Sequence, residues 1–561
     1  MEKEFHVNEK SFKNIIIILV ISLPVLYGFF LVNKYGVNIP IADEYNFLSI
    51  YDDMKENGFS FAQIWEMHNE HRMFFPNLIF LLNIYLSGYN VKWLLNFSII
   101  CISIAYYSIC WLIYNERNMN DSMFVLLSVM LGFLFFNSCQ YENMLWGFQI
   151  AWFMIIAFLT VGVIFFTESI IDEKKGKLIL ACIMAIVASF TSLHGLFVWG
   201  AFISILFSAM IKKSPVSKGN ILVLVGMFFS FALYFIGATN MSEHPKTDNF
   251  IDLLKTLFLM MGTIVIEEVN GLSLLLGILV FAICVICVIQ ILKQKKMMSR
   301  IQIVALGYMS YGYLALGAIA VGRAGYGIED TAITSRYTTN TIIIYISLVL
   351  LLVDWLMKEK RNSAFIIQGI IVGLLFATNY NYIDNFNAIY HGKEDMLEKA
   401  YNYTFYEWPS WDLYAMVQRP DILEKYRLSI YRTEEKRIKE FDKKTLLKGM
   451  EYAGECKAVF SKRDIQIVKG YIFIDSSQVW LFNIDDECLF NKVYIEIDGR
   501  IFECNYGDLR PDVSEKFNNP EIIGCGLGIL LDKNRYEIEG NEFTVIAVDN
   551  LNKKWYSFEV K

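Results

Sequence analysis

The chain has 561 residues, is 55% hydrophobic and 16% aromatic, and has a mean hydropathy of +0.39. Its apolar residues fall in long unbroken blocks, which excludes a single soluble globule and points to an integral membrane protein. A formal net charge of −7 and a pI near 5.6 leave no basic field and exclude a nucleic-acid partner.

A membrane span needs about 20 mostly apolar residues. Eleven stretches are candidates: 14–32, 91–113, 122–138, 150–167, 178–190, 196–211, 220–237, 271–292, 301–321, 338–357 and 364–379. Lys3, Lys10 and Lys13 precede the first, and no small-residue cleavage site follows it, so it reads as a retained anchor. Lys and Arg collect in short cytoplasmic loops. A cytoplasmic N-terminus puts Lys174, Lys175 and Lys177 inside, with Lys212, Lys213 and Lys218, then Lys293, Lys295, Lys296 and Arg300, then Lys358, Lys360 and Arg361.

This alternation requires that 76–89 and 250–268 do not cross. The first begins at Pro76 and the second carries Asp252, Lys255, Glu267 and Glu268, so both suit helices lying in the outer interface. Five polar loops then share the outer face: 33–90, 140–149, 191–195, 238–249 and 322–337.

The apolar periodicity stops after Asn379. Residues 1–380 form the membrane domain, 381–450 a polar, largely helical connector, and 451–561 a module of short alternating runs such as GYIFID and KVYIEIDG. Those runs predict an extracytoplasmic antiparallel β-sandwich. Cys456, Cys488, Cys504 and Cys525 in this module permit two disulfides or four free thiols, and their spacing matches no metal or redox motif.

The residues with chemical potential cluster in the outer loops. IADEY supplies the adjacent carboxylates Asp43 and Glu44, either of which suits a general base or a ligand for a divalent cation. The shorter Asp43 is the better candidate base, and the competing role for it is to cap a helix beginning near Tyr45. HNEHR brings His68, Glu70, His71 and Arg72 together. If helical, it sets the two histidines on one face, suited to phosphate or acceptor binding, with Glu70 to orient an imidazole. Two histidines and a carboxylate also match a weak zinc pattern.

Glu142, Trp146 and Gln149 combine polar groups with an aromatic platform for a sugar ring, and His194 stands in TSLHG. Arg323 and Arg336 frame a glycine-bearing loop before a span, a natural anion site. No P-loop, GxGxxG or Ser-His-Asp pattern is present, which argues against an ATPase, a nicotinamide enzyme or a membrane hydrolase.

The layout of a first span, an outer loop with an acidic pair, interfacial helices and many further spans resembles the GT-C superfamily of membrane glycosyltransferases. The resemblance covers roughly residues 1–380. ADEY, HNEHR, YENMLWGFQ, SLHGLFVW and GRAGYGIEDTAITSRYTT look like motifs of bacterial multi-pass proteins of this type, and the tail is similar to β-sandwich modules of bacterial glycan-assembly proteins. It implies a polyprenyl-phosphate-linked sugar as donor, a glycan or lipid as acceptor, and Asp43 or Glu44 as the catalytic carboxylate. Inversion is expected, because a single displacement needs one base. A polysaccharide polymerase shares the arginine-bearing outer loops. A lipid-linked glycan transporter or flippase would place ionisable groups within the spans.

Overall fold

The computed structural model describes residues 9–359 apart from short stretches near 117, 215 and 240, some residues of 369–390, residues 420–429, and most of 440–560. The chain divides into two compact units, Met1–Met396 with Met416–Ile430, and Leu397–Ala415 with Tyr431–Lys561.

The first unit is a helix bundle. Among the described residues, seven helices are long and apolar enough to cross a membrane: Val91–Glu116, Asp121–Leu145, Gly147–Ile171, Leu193–Ile211, Gly271–Lys293, Arg300–Tyr326 and Ser335–Met357. An eighth arises if Phe12–Ile21 and Leu23–Tyr35, bent by 41°, count as one. The bend falls where Pro24 enters the helix, since proline has no N–H for the preceding turn and its ring crowds the carbonyl there.

The expected spans at 178–190 and 220–237 appear as 15-residue helices, Lys175–Ser189 and Ile221–Phe235. At about 1.5 Å per residue these are shorter than the ~30 Å hydrocarbon layer. The stretch 364–379 and most of the connector lie outside the described residues. The two stretches expected at the interface are also short helices, Phe74–Ser87 and Phe250–Gly262.

Side-chain caps start several of these helices, as at Asn120 on Met123 N and in the boxes Ser60/Gln63, Asn270/Ser273 and Ser299/Gln302. Gly147–Ile171 is the central span, with 78% of its apolar window buried, whereas Gly271–Lys293, at 22%, stands at the periphery. The short segment Pro420–Lys425 returns to the first loop. There Lys425 Nζ meets Asp52 and Glu56 at 2.7 and 2.6 Å, and Ser429 N donates to Gly88 O.

The second unit holds two sheets. One has the order β5 (Ile465–Val468), β6 (Tyr471–Ile474), β10 (Gly526–Asp532), β9 (Asn505–Asp508). The other runs β3 (Glu440–Phe441), β8 (Arg500–Glu503), β7 (Lys492–Ile497), β11 (Phe543–Asp549), β12 (Lys554–Glu559), β4 (Glu451–Glu455). Ile472, Ile474, Leu527 and Leu531 of the first sheet share one core with Ile495, Ile497, Phe502 and Val545 of the second. Pairing is antiparallel except for β12 with β4, which is parallel and departs from the all-antiparallel expectation. Cys504 and Cys525 are free thiols, and Cys456 lies outside the described residues.

Candidate active site

Four of the five polar loops meet at one end of the bundle. The fifth, 238–249, lies largely outside the described residues. Asp43 occupies the N-cap position of helix Glu44–Asn57 but makes no side-chain capping bond, so capping does not account for its carboxylate. Its side chain is 39% exposed, and Oδ1 lies 3.7 Å from His68 Nε2.

The neighbouring carboxylate has a different environment. Glu44 is fully buried; its Oε2 accepts from Ile41 N at 3.0 Å and its Oε1 lies 3.5 Å from the Tyr89 hydroxyl. It holds a turn in which Ala42 adopts φ 48°, a conformation that side chains other than glycine rarely take. Gly147 makes room for this carboxylate, since a Cβ there would sit 2.7 Å from Glu44 Oε1. Of the acidic pair, Asp43 faces the site and Glu44 shapes the loop that presents it.

HNEHR is not helical. It forms a hairpin of two-residue strands, β1 (Met67–His68) and β2 (His71–Arg72), with His68 paired directly opposite His71. Asn69 turns the chain at φ 52°, which asparagine tolerates better than most residues. The Tyr234 hydroxyl closes the turn, accepting from Arg72 N and donating to Glu70 O, both at 2.9 Å.

The hairpin sends its side chains to separate tasks. The Arg72 guanidinium is buried and donates to three main-chain carbonyls, Tyr234 O at 2.8 Å, Ile236 O at 2.7 Å and Trp65 O. It also stacks over Trp65. Arg72 therefore ties the first loop to the end of helix Ile221–Phe235, and the substrate contact expected of it gives way to this role.

His68 Nδ1 lies 2.9 Å from Asn46 Nδ2, and its ring packs edge-on against Phe148. Glu70 Oε1 pairs with Arg323 Nη2 at 2.5 Å and lies 3.6 Å from His71 Nε2, while His71 Nδ1 lies 3.2 Å from Ser192 Oγ. Burial pushes the His71 imidazole down to about 4, against the opposing pull of Glu70, so the ring is neutral at pH 7. The ring of His194 lies 6.0 Å from that of His71 and 4.6 Å from that of Trp152. Gly195 permits this packing, because a Cβ there would overlap Ala188 O.

The second loop braces the other side. Trp146 Nε1 donates to Ile41 O at 3.3 Å, which ties it to the turn before Asp43. Glu142 Oε2 accepts from Arg336 N at 2.9 Å, and Asn143 Nδ2 donates to Arg336 O and Thr339 Oγ1. Arg336 lies within electrostatic range of Asp43 and Glu142. Gln149 is buried where this loop enters helix Ile150–Ile171.

The structure thus brings together Asp43, His68, Glu70, His71, His194, Arg323 and Arg336, with Glu142, Trp146 and Gln149 at their margin. Asn46, Phe148, Trp152 and Ser192 join them without having been singled out from sequence, although all but Trp152 lie inside loops that were. Among the described residues no group of three His, Cys, Asp or Glu side chains is placed to hold a metal ion, so the zinc pattern of HNEHR is not realised.

A lateral apolar groove of about 670 Å³ lies elsewhere, lined by Phe29, Ile104, Trp111 and Phe165 and bordered by Lys177. No protein-family model matches the chain, and no curated protein matches it.

Proposed function

We propose that this chain is a membrane glycosyltransferase that moves a sugar from a polyprenyl-phosphate donor to a glycan or lipid acceptor outside the cell membrane. The observation that carries the reading is the pairing of functions at one end of the bundle. A partly exposed carboxylate, Asp43, is free of capping duty and stands within the field of Arg336.

In this reading Asp43 takes the proton of an acceptor hydroxyl as its oxygen bonds to the anomeric carbon. The bond from that carbon to the phosphate oxygen breaks, and the polyprenyl phosphate leaves with the electron pair. Arg336 balances its charge. One displacement inverts the anomeric centre.

The reading takes the chain to cross the membrane eleven times from a cytoplasmic N-terminus, counting the 15-residue helices Lys175–Ser189 and Ile221–Phe235 and the stretch 364–379. The site then faces outward, where a lipid-linked donor arrives from the side, and the second unit is an extracytoplasmic β-sandwich.

The test is reconstitution in proteoliposomes with a panel of radiolabelled polyprenyl-phosphate sugars and envelope extracts as acceptor. Release of polyprenyl phosphate coupled to labelling of a glycan or lipid is expected. Passage of an intact lipid-linked glycan across the bilayer without sugar transfer would replace this reading with a transporter.

A further inference from the structure

The site contains buried polar atoms that the fold leaves unsatisfied, two of them on His194 and Gln149. His194 is 6% exposed and its Nδ1 has no hydrogen-bond partner among the described residues; the same holds for Oε1 of Gln149, which is 4% exposed. Burying such atoms without a partner is costly, and native proteins rarely do so without a use for them. Trp152, three residues beyond Gln149 on the same helical face, packs its ring against His194. The His71 ring lies 6.0 Å from that imidazole, and Ser192 Oγ lies 3.2 Å from His71 Nδ1.

The chemistry of the unsatisfied atoms restricts what meets them. An amide oxygen accepts, so Gln149 Oε1 calls for a donor. A neutral imidazole presents either N–H or a lone pair at Nδ1, and a hydroxyl satisfies both tautomers. Phosphate and carboxylate offer acceptors alone and cannot serve Gln149. Among the described residues the arginine that acts on His194 is Arg323, and it is already paired with Glu70. Burial keeps His71 neutral at pH 7, so it adds no positive charge.

We propose that Gln149, Trp152, Ser192, His194 and His71 form the sugar-ring subsite, and that it selects an uncharged, hydroxyl-bearing sugar over an anionic one. This rests on the glycosyltransferase reading for its place in the reaction, with the phosphate near Arg336 and the ring against Trp152. The binding chemistry stands on the side chains themselves.

The experiment uses the full-length protein in nanodiscs and reads saturation transfer by NMR to neutral methyl hexopyranosides and to methyl hexuronosides. Wild type should contact at least one neutral glycoside and favour it over the hexuronosides. His194→Phe keeps the aromatic packing but removes the polar atom, and should lower that signal about tenfold, the worth of a lost hydrogen bond in a buried site. Its unfolding midpoint should stay or rise, because an unsatisfied buried group has been removed. Gln149→Leu should behave in the same way.

The inference is overturned if His194→Phe retains the signal, if hexuronosides are preferred, or if no neutral glycoside is contacted. A fall in the midpoint of both variants would also overturn it, by making the two groups structural. Binding of polyprenyl phosphate is measured in parallel. Its absence beside a His194-dependent glycoside signal would sink the lipid-donor reading and leave the subsite standing.

Discussion

The helix Arg300–Arg323 carries an arginine at each end, about 36 Å apart, and the two ends are built on different rules. At its start, Arg300 pairs with Glu116 at 2.6 Å and with Asp172 at 2.5 Å; Lys174 also meets Asp172, and Lys177 meets Glu168, both at 3.0 Å. Charges there are matched near the surface, as in an ordinary solvated rim. At the other end Arg323 holds Glu70 beside His71, and Asn143 Oδ1, Gln149 Oε1 and His194 Nδ1 are buried without partners among the described residues. A bundle made for stability alone would finish both ends like the first. The proposed sugar subsite would account for the difference, with a bound ligand supplying the missing partners.

That contrast can be broken by mutation, and the largest effect is expected from Arg72, which belongs to the polar end by position but to the scaffold by contact. Arg72→Met takes the guanidinium donor from three main-chain carbonyls, one buried and two part-buried, and should cost about 3 kcal/mol of stability. The unfolding midpoint in detergent reads it directly.

Arg336→Met should have the opposite profile. Transfer should fall about 10²-fold, as when a charge-stabilising donor is removed, while the unfolding midpoint changes little.

His71 sharpens the comparison through pH. Its imidazole titrates near 4 in the folded chain and near the ordinary 6.5 when unfolded, so below pH 6.5 the unfolded chain takes up the proton and the folded one does not. Stability from this group is therefore present at pH 7 and lost as pH falls toward 4, by about 2 kcal/mol between pH 7 and pH 5. The difference in midpoint between pH 7 and pH 5 should shrink by that amount in His71→Gln.

The smallest effect belongs to the opposite rim. Arg300→Gln breaks two partly exposed pairs and should cost about 1 kcal/mol or less, with sugar transfer unchanged.

Much of this arrangement is legible in the sequence, and the failures have physical reasons. Apolar blocks mark the long helices because a bilayer demands length; the run KVYIEI marks a strand by its β-branched and aromatic residues, and it is covered on both faces, Val493, Ile495 and Ile497 in one core and Tyr494 in another. The acidic pair and the loop motifs fall together at one end of the bundle.

The helical alternative for HNEHR gives way to a hairpin, and histidines three apart fit both, since they lie together on a helix and also face each other across a two-residue turn. Spacing cannot separate the two, and Asn69 was the only hint of the turn. The division of labour between Asp43 and Glu44, or between His71 and Arg72, was not legible at all. Arg72 is defined by carbonyls at Tyr234 and Ile236, more than 160 residues away. Glu44 is defined by the backbone of Ile41 and by the space that Gly147 leaves.

Whether Asp43 is the base of a sugar transfer is tested most directly by mass spectrometry of surface glycans and lipids from a deletion strain. The strain is complemented with wild type or with Asp43→Asn at equal protein level. The account predicts that wild type restores a missing sugar and that Asp43→Asn, folded to the same midpoint, reduces it by a factor of about 10² to 10⁴ in rate. Full restoration by Asp43→Asn would contradict it.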